Sequence, residues 1–179
     1  KSHVAEAAIQ AGAEIINDIS GFHHDPLMKD VAAATGAGCI LMHMRGTPAT
    51  MQGLTDYTDL LGDINGFFTD SIAMLEGAGV GIQSICLDPG IGFSKTVQQN
   101  LELINHLDAL LVHGRPLLLG PSRKSFIGKT LGIDDPSERI WGTGAAVAAG
   151  IMRGARIVRV HDVAEMRQVA DLATAIALA

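Results

Sequence analysis

Short, almost unbroken apolar runs alternate along the chain with longer stretches in which apolar residues recur every three or four positions. The runs are Ile15-Ile16-Asn17-Asp18-Ile19, Cys39-Ile40-Leu41-Met42, Ile85-Cys86-Leu87, Leu117-Leu118-Leu119 and Ile157-Val158-Arg159-Val160. Runs this short and this apolar predict strands of a parallel sheet, buried on both faces. The intervening stretches predict helices. Asp25-Pro26 supplies an N-cap and a first-turn proline for a helix to about Thr35, closed by Gly36. Leu60, Leu61, Ile64, Phe67, Phe68, Ile72 and Leu75 form one stripe, which ends at Gly77. Leu101, Ile104, Leu107 and Leu111 form another, ending before Gly114. Asp135-Pro136-Ser137-Glu138 and the pair Asp162 and Glu165 both have the spacing of a capping box. With an opening helix from Ser2 to about Ala11, the pattern gives five strand-then-helix units, an α/β chain.

Two architectures use such units. An open, flavodoxin-like sheet binds ligands chiefly where its strand order reverses. A (β/α)₈ TIM barrel brings the C-terminal end of every strand to one mouth. Here every run ends in polar residues: Asn17-Asp18-Ile19-Ser20, His43-Met44-Arg45, Asp88-Pro89-Gly90, Ser122-Arg123-Lys124 and Arg159-Val160-His161. That distribution favours the barrel. A whole barrel takes eight units and about 250 residues, so the chain is expected to carry about the last five β/α units, with the N-terminal strands absent.

Composition narrows the function classes. Of 179 residues, 47% are hydrophobic and 18% charged, which excludes a disordered chain. The net charge of −6 argues against nucleic acid or an anionic membrane as partner. Cys39 and Cys86 lie inside apolar runs without metal-ligand spacing and read as buried thiols of a cytoplasmic protein. No apolar stretch is long enough to span a membrane. Gly77-Ala78-Gly79-Val80-Gly81 follows a helix rather than a strand and therefore reads as a turn, not a dinucleotide loop.

The strand-tip motifs carry the candidate chemistry. In Asp88-Pro89-Gly90-Ile91-Gly92-Phe93, the carboxylate can accept two parallel hydrogen bonds from an amidine-like edge, with Phe93 as a stacking face. The alternative is an ordinary Asp-Pro-Gly turn. In Gly120-Pro121-Ser122-Arg123-Lys124-Ser125, two cations and two hydroxyls suit an electron-rich or anionic ligand. An extended backbone there would put Ser122 and Lys124 on one face and Arg123 on the other. A solvated basic loop is the plainer reading. Arg159 and His161 have the spacing of an anion clamp on one side of a strand, unless Arg159 pairs with Asp162 or Asp18. Asn17 can read a heterocycle edge, whereas Asp18 can equally cap a loop. His43 fits a hydrogen-bonded core histidine better than a ligand. Met42 fits either the core or the wall of a flat site. His23, His24, His106 and His113 are expected at the surface.

Taken in order, Asn17-Asp18-Ile19-Ser20-Gly21, Leu41-Met42-His43-Met44-Arg45-Gly46-Thr47-Pro48, the Asp88–Phe93 motif, Ser122-Arg123-Lys124-Ser125 and Arg159-Val160-His161-Asp162-Val163 resemble the dihydropteroate synthase family. Ser94, before Lys95, departs from the Gly or Ala frequent there. The resemblance implies that residues 1–179 are the C-terminal portion of a single pterin-binding TIM-barrel domain. It implies a transferase of folate biosynthesis, a sulfonamide target, that joins 4-aminobenzoate to 6-hydroxymethyl-7,8-dihydropterin pyrophosphate and releases pyrophosphate. It implies a cytoplasmic homodimer. Asp88 and Lys124 would be catalytic, and Asn17, Met42, Asp88, Phe93, Gly120, Lys124 and Arg159 would hold the pterin. Ser122 and Arg123 would receive 4-aminobenzoate, and Asn17, Arg159 and His161 the pyrophosphate. The implied cofactor is Mg²⁺, whose asparagine ligand would lie upstream of Lys1, so no metal ligand is expected in this chain and the chain alone is expected to be inactive. Two alternatives share some motifs: a methyltransferase domain using methyltetrahydrofolate, and a non-catalytic pterin-binding partner subunit. Ser122-Arg123-Lys124-Ser125 argues against the first, and the intact strand tips against the second.

Overall fold

Five strands, β1 (Ile15–Asp18), β2 (Gly38–Met42), β3 (Ile85–Asp88), β4 (Leu117–Leu119) and β5 (Ala155–Val158), lie side by side in chain order in one parallel sheet. These come from a computed structural model that describes all 179 residues. Helix α1 (Ser2–Gln10) precedes the sheet, and α7 (Val163–Ala177) follows it. The crossovers carry α2 (Met28–Thr35), α3 (Leu60–Gly77), α4 (Val97–Asn105), and α5 (Ser125–Leu131) together with α6 (Ile140–Met152). A flavodoxin-like sheet reverses its strand order once. The unbroken sequential order here is that of a barrel wall, and five of the eight units are present.

The register separates two faces. Leu41 pairs with Leu87, Leu87 with Leu117 and Leu117 with Ala155. All four are buried and turn toward the helices, where they join Ile64, Phe68, Leu75, Leu103, Leu107 and Leu110 in the core. Each fully buried leucine or phenylalanine contributes about 1.5–3 kcal/mol relative to exposure. The opposite face carries Ile15 and Asn17 on β1, Met42 on β2, Asp88 on β3 and Ile157 on β5. Contrary to the expectation of burial on both faces, Ile15 is 57% and Ile157 41% exposed, because β1 and β5 are the edges of the sheet.

Local signals place most boundaries, and tertiary contacts move the rest. Asp59 caps α3 by accepting from the Gly62 amide at 2.9 Å, as an acidic N-cap should. Thr96 and Gln99 form a reciprocal capping box, so α4 starts four residues before the Leu101 stripe suggests. The same stripe does not stay α-helical. After His106 the chain tightens into a 3₁₀ turn over Leu107–His113, in which residues three apart eclipse. Leu107 and Leu110 are therefore buried together, and Leu111 turns outward. Strand β5 lies two residues earlier than the apolar run predicts, with a register shift opposite Leu117 and Leu118, so Arg159 and His161 follow the strand instead of lying on it. Helix α2 begins at Met28, and Asp25 caps the preceding turn through the Leu27 amide at 3.1 Å. Asp162 offers α7 no side-chain cap, since its carboxylate is held by Arg123.

Candidate functional site

The C-terminal strand ends converge on one cavity. Asn17, Met42 and Asp88 reach it from β1, β2 and β3; Gly120, Ser122 and Lys124 come from the segment after β4, and Arg159 and His161 from the segment after β5. Phe93 and Ile19 complete the lining. Every candidate residue of the sequence except Arg123 lies on this wall.

Asp88 in the lining is buried, 8% exposed, and its Oδ1 accepts from the Gly90 amide at 2.8 Å. Burial pushes its carboxyl up from the ordinary carboxylate range, while the Gly90 amide and the charges of Lys124, Lys95 and Arg159 pull it back. The Lys124 ammonium donates to the Ile91 carbonyl and lies 4.6 Å from the centre of the Phe93 ring. Burial lowers Lys124 to about 8, with Asp88 opposing that shift. Its stem passes Gly92, where a Cβ would lie 2.9 Å from Lys124 Cδ at a backbone φ of +81°. A carboxylate and an ammonium beside an aromatic face suit a flat heterocycle with donors on one edge and acceptors on the other.

Arg159 adds a second cation to the lining. Arg159 takes part in none of the ion pairs, so both pairings open to it in the sequence are unused: Asp162 binds Arg123, and Asp18 accepts from the Ser20 amide and hydroxyl. Its guanidinium is free to take an anion bidentately. His161 Nδ1 lies 2.8 Å from Ser122 Oγ, and the His161 amide donates to the same oxygen at 3.1 Å, which joins the segments after β4 and β5.

Arg123 departs from the expected geometry. Its backbone is left-handed, with φ of +57°, rather than extended. Ser122 and Lys124 therefore share the cavity through a turn, closed by the Lys124 amide on the Pro121 carbonyl at 3.2 Å. The Arg123 side chain leaves the cavity for Asp162, and its amide donates to the buried Thr143 hydroxyl at 3.0 Å. Its observed contacts brace the loop.

His43 is buried and hydrogen-bonded, with Nδ1 3.1 Å from Lys95 Nζ. Burial, then the nearby Lys95 and Arg45 charges, push it down to about 3, so its ring is neutral. His23 bonds Ser71, and His113 bonds Asn65, so these two are anchored rather than free at the surface. Sequence reasoning left Lys95 without a role; it is only 4% exposed, and nothing in its neighbours along the chain signals that burial. Cys39 and Cys86 are buried free thiols raised by that burial to about 11. No group of three or more His, Cys, Asp or Glu side chains is placed to hold a metal ion. No helix is long and apolar enough to cross a membrane.

A wall of parallel β/α units with its polar residues at the strand tips defines a ligand-binding barrel of the TIM class. The model of the family described as pterin binding enzyme matches residues 1–161, and the chain belongs to that family. It is 52% identical over 176 residues to the dihydropteroate synthase of Synechocystis, covering 98% of this chain and 61% of the relative. A crystal structure of the Yersinia pestis dihydropteroate synthase with a sulfonamide drug superimposes with a TM-score of 0.96 at 40% identity, over 100% of this chain and 64% of that one. The Thermus thermophilus enzyme in complex with 6HMPPP gives 0.92 at 38% identity, over 98% and 69%. The chain thus spans about three fifths of the Synechocystis relative's length.

Proposed function

We propose that this chain carries the strand tips with which a dihydropteroate synthase binds 6-hydroxymethyl-7,8-dihydropterin pyrophosphate and 4-aminobenzoate. The observation that carries the reading is the convergence of Asp88, Lys124, Asn17 and Arg159 on one cavity. Asp88 accepts two hydrogen bonds from the aminopyrimidine edge, and Lys124 donates to the carbonyl and ring-nitrogen side. Met42, Phe93 and Gly120 shape the slot for the ring. Arg159 and His161, with Asn17 nearby, hold the pyrophosphate, and the Arg159 charge stabilises the anion as the bond to the exocyclic carbon breaks. The positive charge left on the dihydropterin is balanced by Asp88 until the arylamine attacks that carbon. Ser122 receives 4-aminobenzoate, with Arg123 bracing the loop beside it. The family's Mg²⁺ belongs to the reading of the whole enzyme, and none of these steps passes through it. The sulfonamide-bound Yersinia relative supports sulfonamides as inhibitors here.

Two further assignments accompany this reading. A homodimer is supported by the apolar groove between α4, α5 and α6, lined by Leu101, Ile104, Phe126 and Leu131, with Trp141 86% exposed on α6. A cytoplasmic location is supported by two unpaired, buried cysteines.

Calorimetry on the complete protein tests the activity. Dihydropterin pyrophosphate is expected to bind alone, 4-aminobenzoate only after it, and pyrophosphate to appear on mixing. A protein that binds 4-aminobenzoate first, or releases no pyrophosphate, is not this enzyme. The Lys124 ammonium is present below pH about 8 and lost above it, so pterin affinity is expected to fall between pH 7 and pH 9. Lys124→Arg, charged throughout that range, should abolish the fall even where it binds more weakly. An unchanged slope in Lys124→Arg would exclude Lys124 as the titrating contact.

A further inference from the structure

We infer that Lys95 is a positioning residue of the cavity, whose ammonium ties the segment after β2 to the segment after β3 and so holds Asp88 and Phe93 where a ligand meets them. The inference rests on the pterin reading above. Lys95 Nζ has three partners: His43 Nδ1 at 3.1 Å, the Gly90 carbonyl at 3.2 Å and the Phe93 carbonyl at 3.0 Å. The neutral His43 ring accepts at Nδ1, and the carbonyls can only accept. Burial lowers Lys95 to about 7, with Asp88 opposing that shift, and below that pH three acceptors take all three hydrogens of the ammonium, so none is left for a ligand. Lys95 is also absent from the cavity lining. It acts through its neighbours.

Those neighbours need holding. Gly90, Gly92 and Ser94 all have positive φ, at 72°, 81° and 48°, so the segment from Pro89 to Ser94 cannot be fixed by a regular hydrogen-bond ladder. Side chains fix it instead. Lys95 takes two of its carbonyls and Lys124 takes that of Ile91, while Asn100 Oδ1 accepts from the Gly92 amide at 2.6 Å. The Ser94 hydroxyl accepts from the Arg45 amide at 2.9 Å, a second tie to the segment after β2. Phe93, on the cavity wall, has its carbonyl on Lys95. The positive charge of Lys95 also faces Asp88, as do those of Lys124 and Arg159, with the neutral Cys86 thiol beside it and Arg45 near Lys95.

The test uses the complete protein, with dihydropterin pyrophosphate affinity measured by calorimetry from pH 5 to pH 8 and urea unfolding run alongside. Lys95→Met is expected to weaken pterin binding about tenfold or more at pH 6, where the wild-type lysine is charged, the scale of a misplaced binding group, with the KM for 4-aminobenzoate changed far less. Loss of the charge beside Asp88 should also move the acid limb of pterin affinity to higher pH. Lys95→Arg should keep the acid limb in place. Should Lys95→Met fail to fold, Lys95→Gln, neutral but still a donor, is expected to show the same shift of the limb. Wild-type affinity in a neutral variant overturns the inference, and so does a loss by one factor at every pH, since a merely structural lysine gives that. Failure of the wild-type protein to bind the pterin would instead remove the reading on which the inference stands.

Discussion

Replacing Asp88 with Asn is expected to lower kcat/KM for the dihydropterin substrate by about 10²- to 10³-fold, the equivalent of ~3–4 kcal/mol. The substitution keeps the shape and leaves an oxygen to accept from the Gly90 amide, so the fold has little reason to change. What it removes is the negative charge in the lining of a cavity that also contains Lys124 and Arg159. Two effects then add. The amide presents one acceptor and one donor where the aminopyrimidine edge brings two donors, and a donor facing a donor in a dry site costs more than a missing bond. The lysines and the arginine also lose the counter-charge that Asp88 gives them, so the cationic pterin of the proposed reaction would meet a net positive surface. Steady-state kinetics with each substrate varied in turn checks the result. A loss below about tenfold, or one as large for 4-aminobenzoate, would remove Asp88 from the pterin edge.

Gly90→Ala is expected to be the most damaging change to stability, at about 2–5 kcal/mol. Gly90 has φ of +72°, and an added Cβ would lie 2.0 Å from the His43 carbonyl oxygen and 3.1 Å from its carbon. A left-handed alanine costs about 1–2 kcal/mol, and forced overpacking about 1–3 kcal/mol more. The obstacle is backbone, which no rotamer change can move aside. His43 is itself fixed, its amide bonded to the Asp88 carbonyl at 2.9 Å. Gly36 provides the control. It also has positive φ, of 67°, but nothing lies within 4 Å of its added Cβ. Gly36→Ala should therefore cost only the backbone share, about 1–2 kcal/mol. Urea unfolding of both variants separates the terms, and equal losses would show that crowding at His43 contributes nothing.

The legibility of the fold and of the site follows from the range of the forces involved. Helix α3 and strand β4 could be placed from the sequence because apolar period and capping are local properties, complete within a few residues. The start of α4 was equally available in Thr96 and Gln99, a capping pair three residues apart. Strand β5 was not, since its offset comes from a bulge in its pairing with β4. The cavity residues were legible as strand-tip polar groups because a parallel barrel wall sends every such tip to one end.

Partner choice was a different matter. Whether Asp162 would take Arg159 or Arg123 had no answer along the chain, because it depends on the left-handed turn at Arg123, 39 residues away from Asp162. The burial of Lys95 could not be read along the chain either, because its partner His43 lies 52 residues away. By itself the sequence determined the β/α units, their helical faces and the set of polar residues at the strand ends, since period, capping and turn chemistry act over a few residues. Only the tertiary structure decided which cations are free for a ligand and which are spent on the protein. Burial and ion pairing are set by segments that are distant in the chain and meet only when it folds.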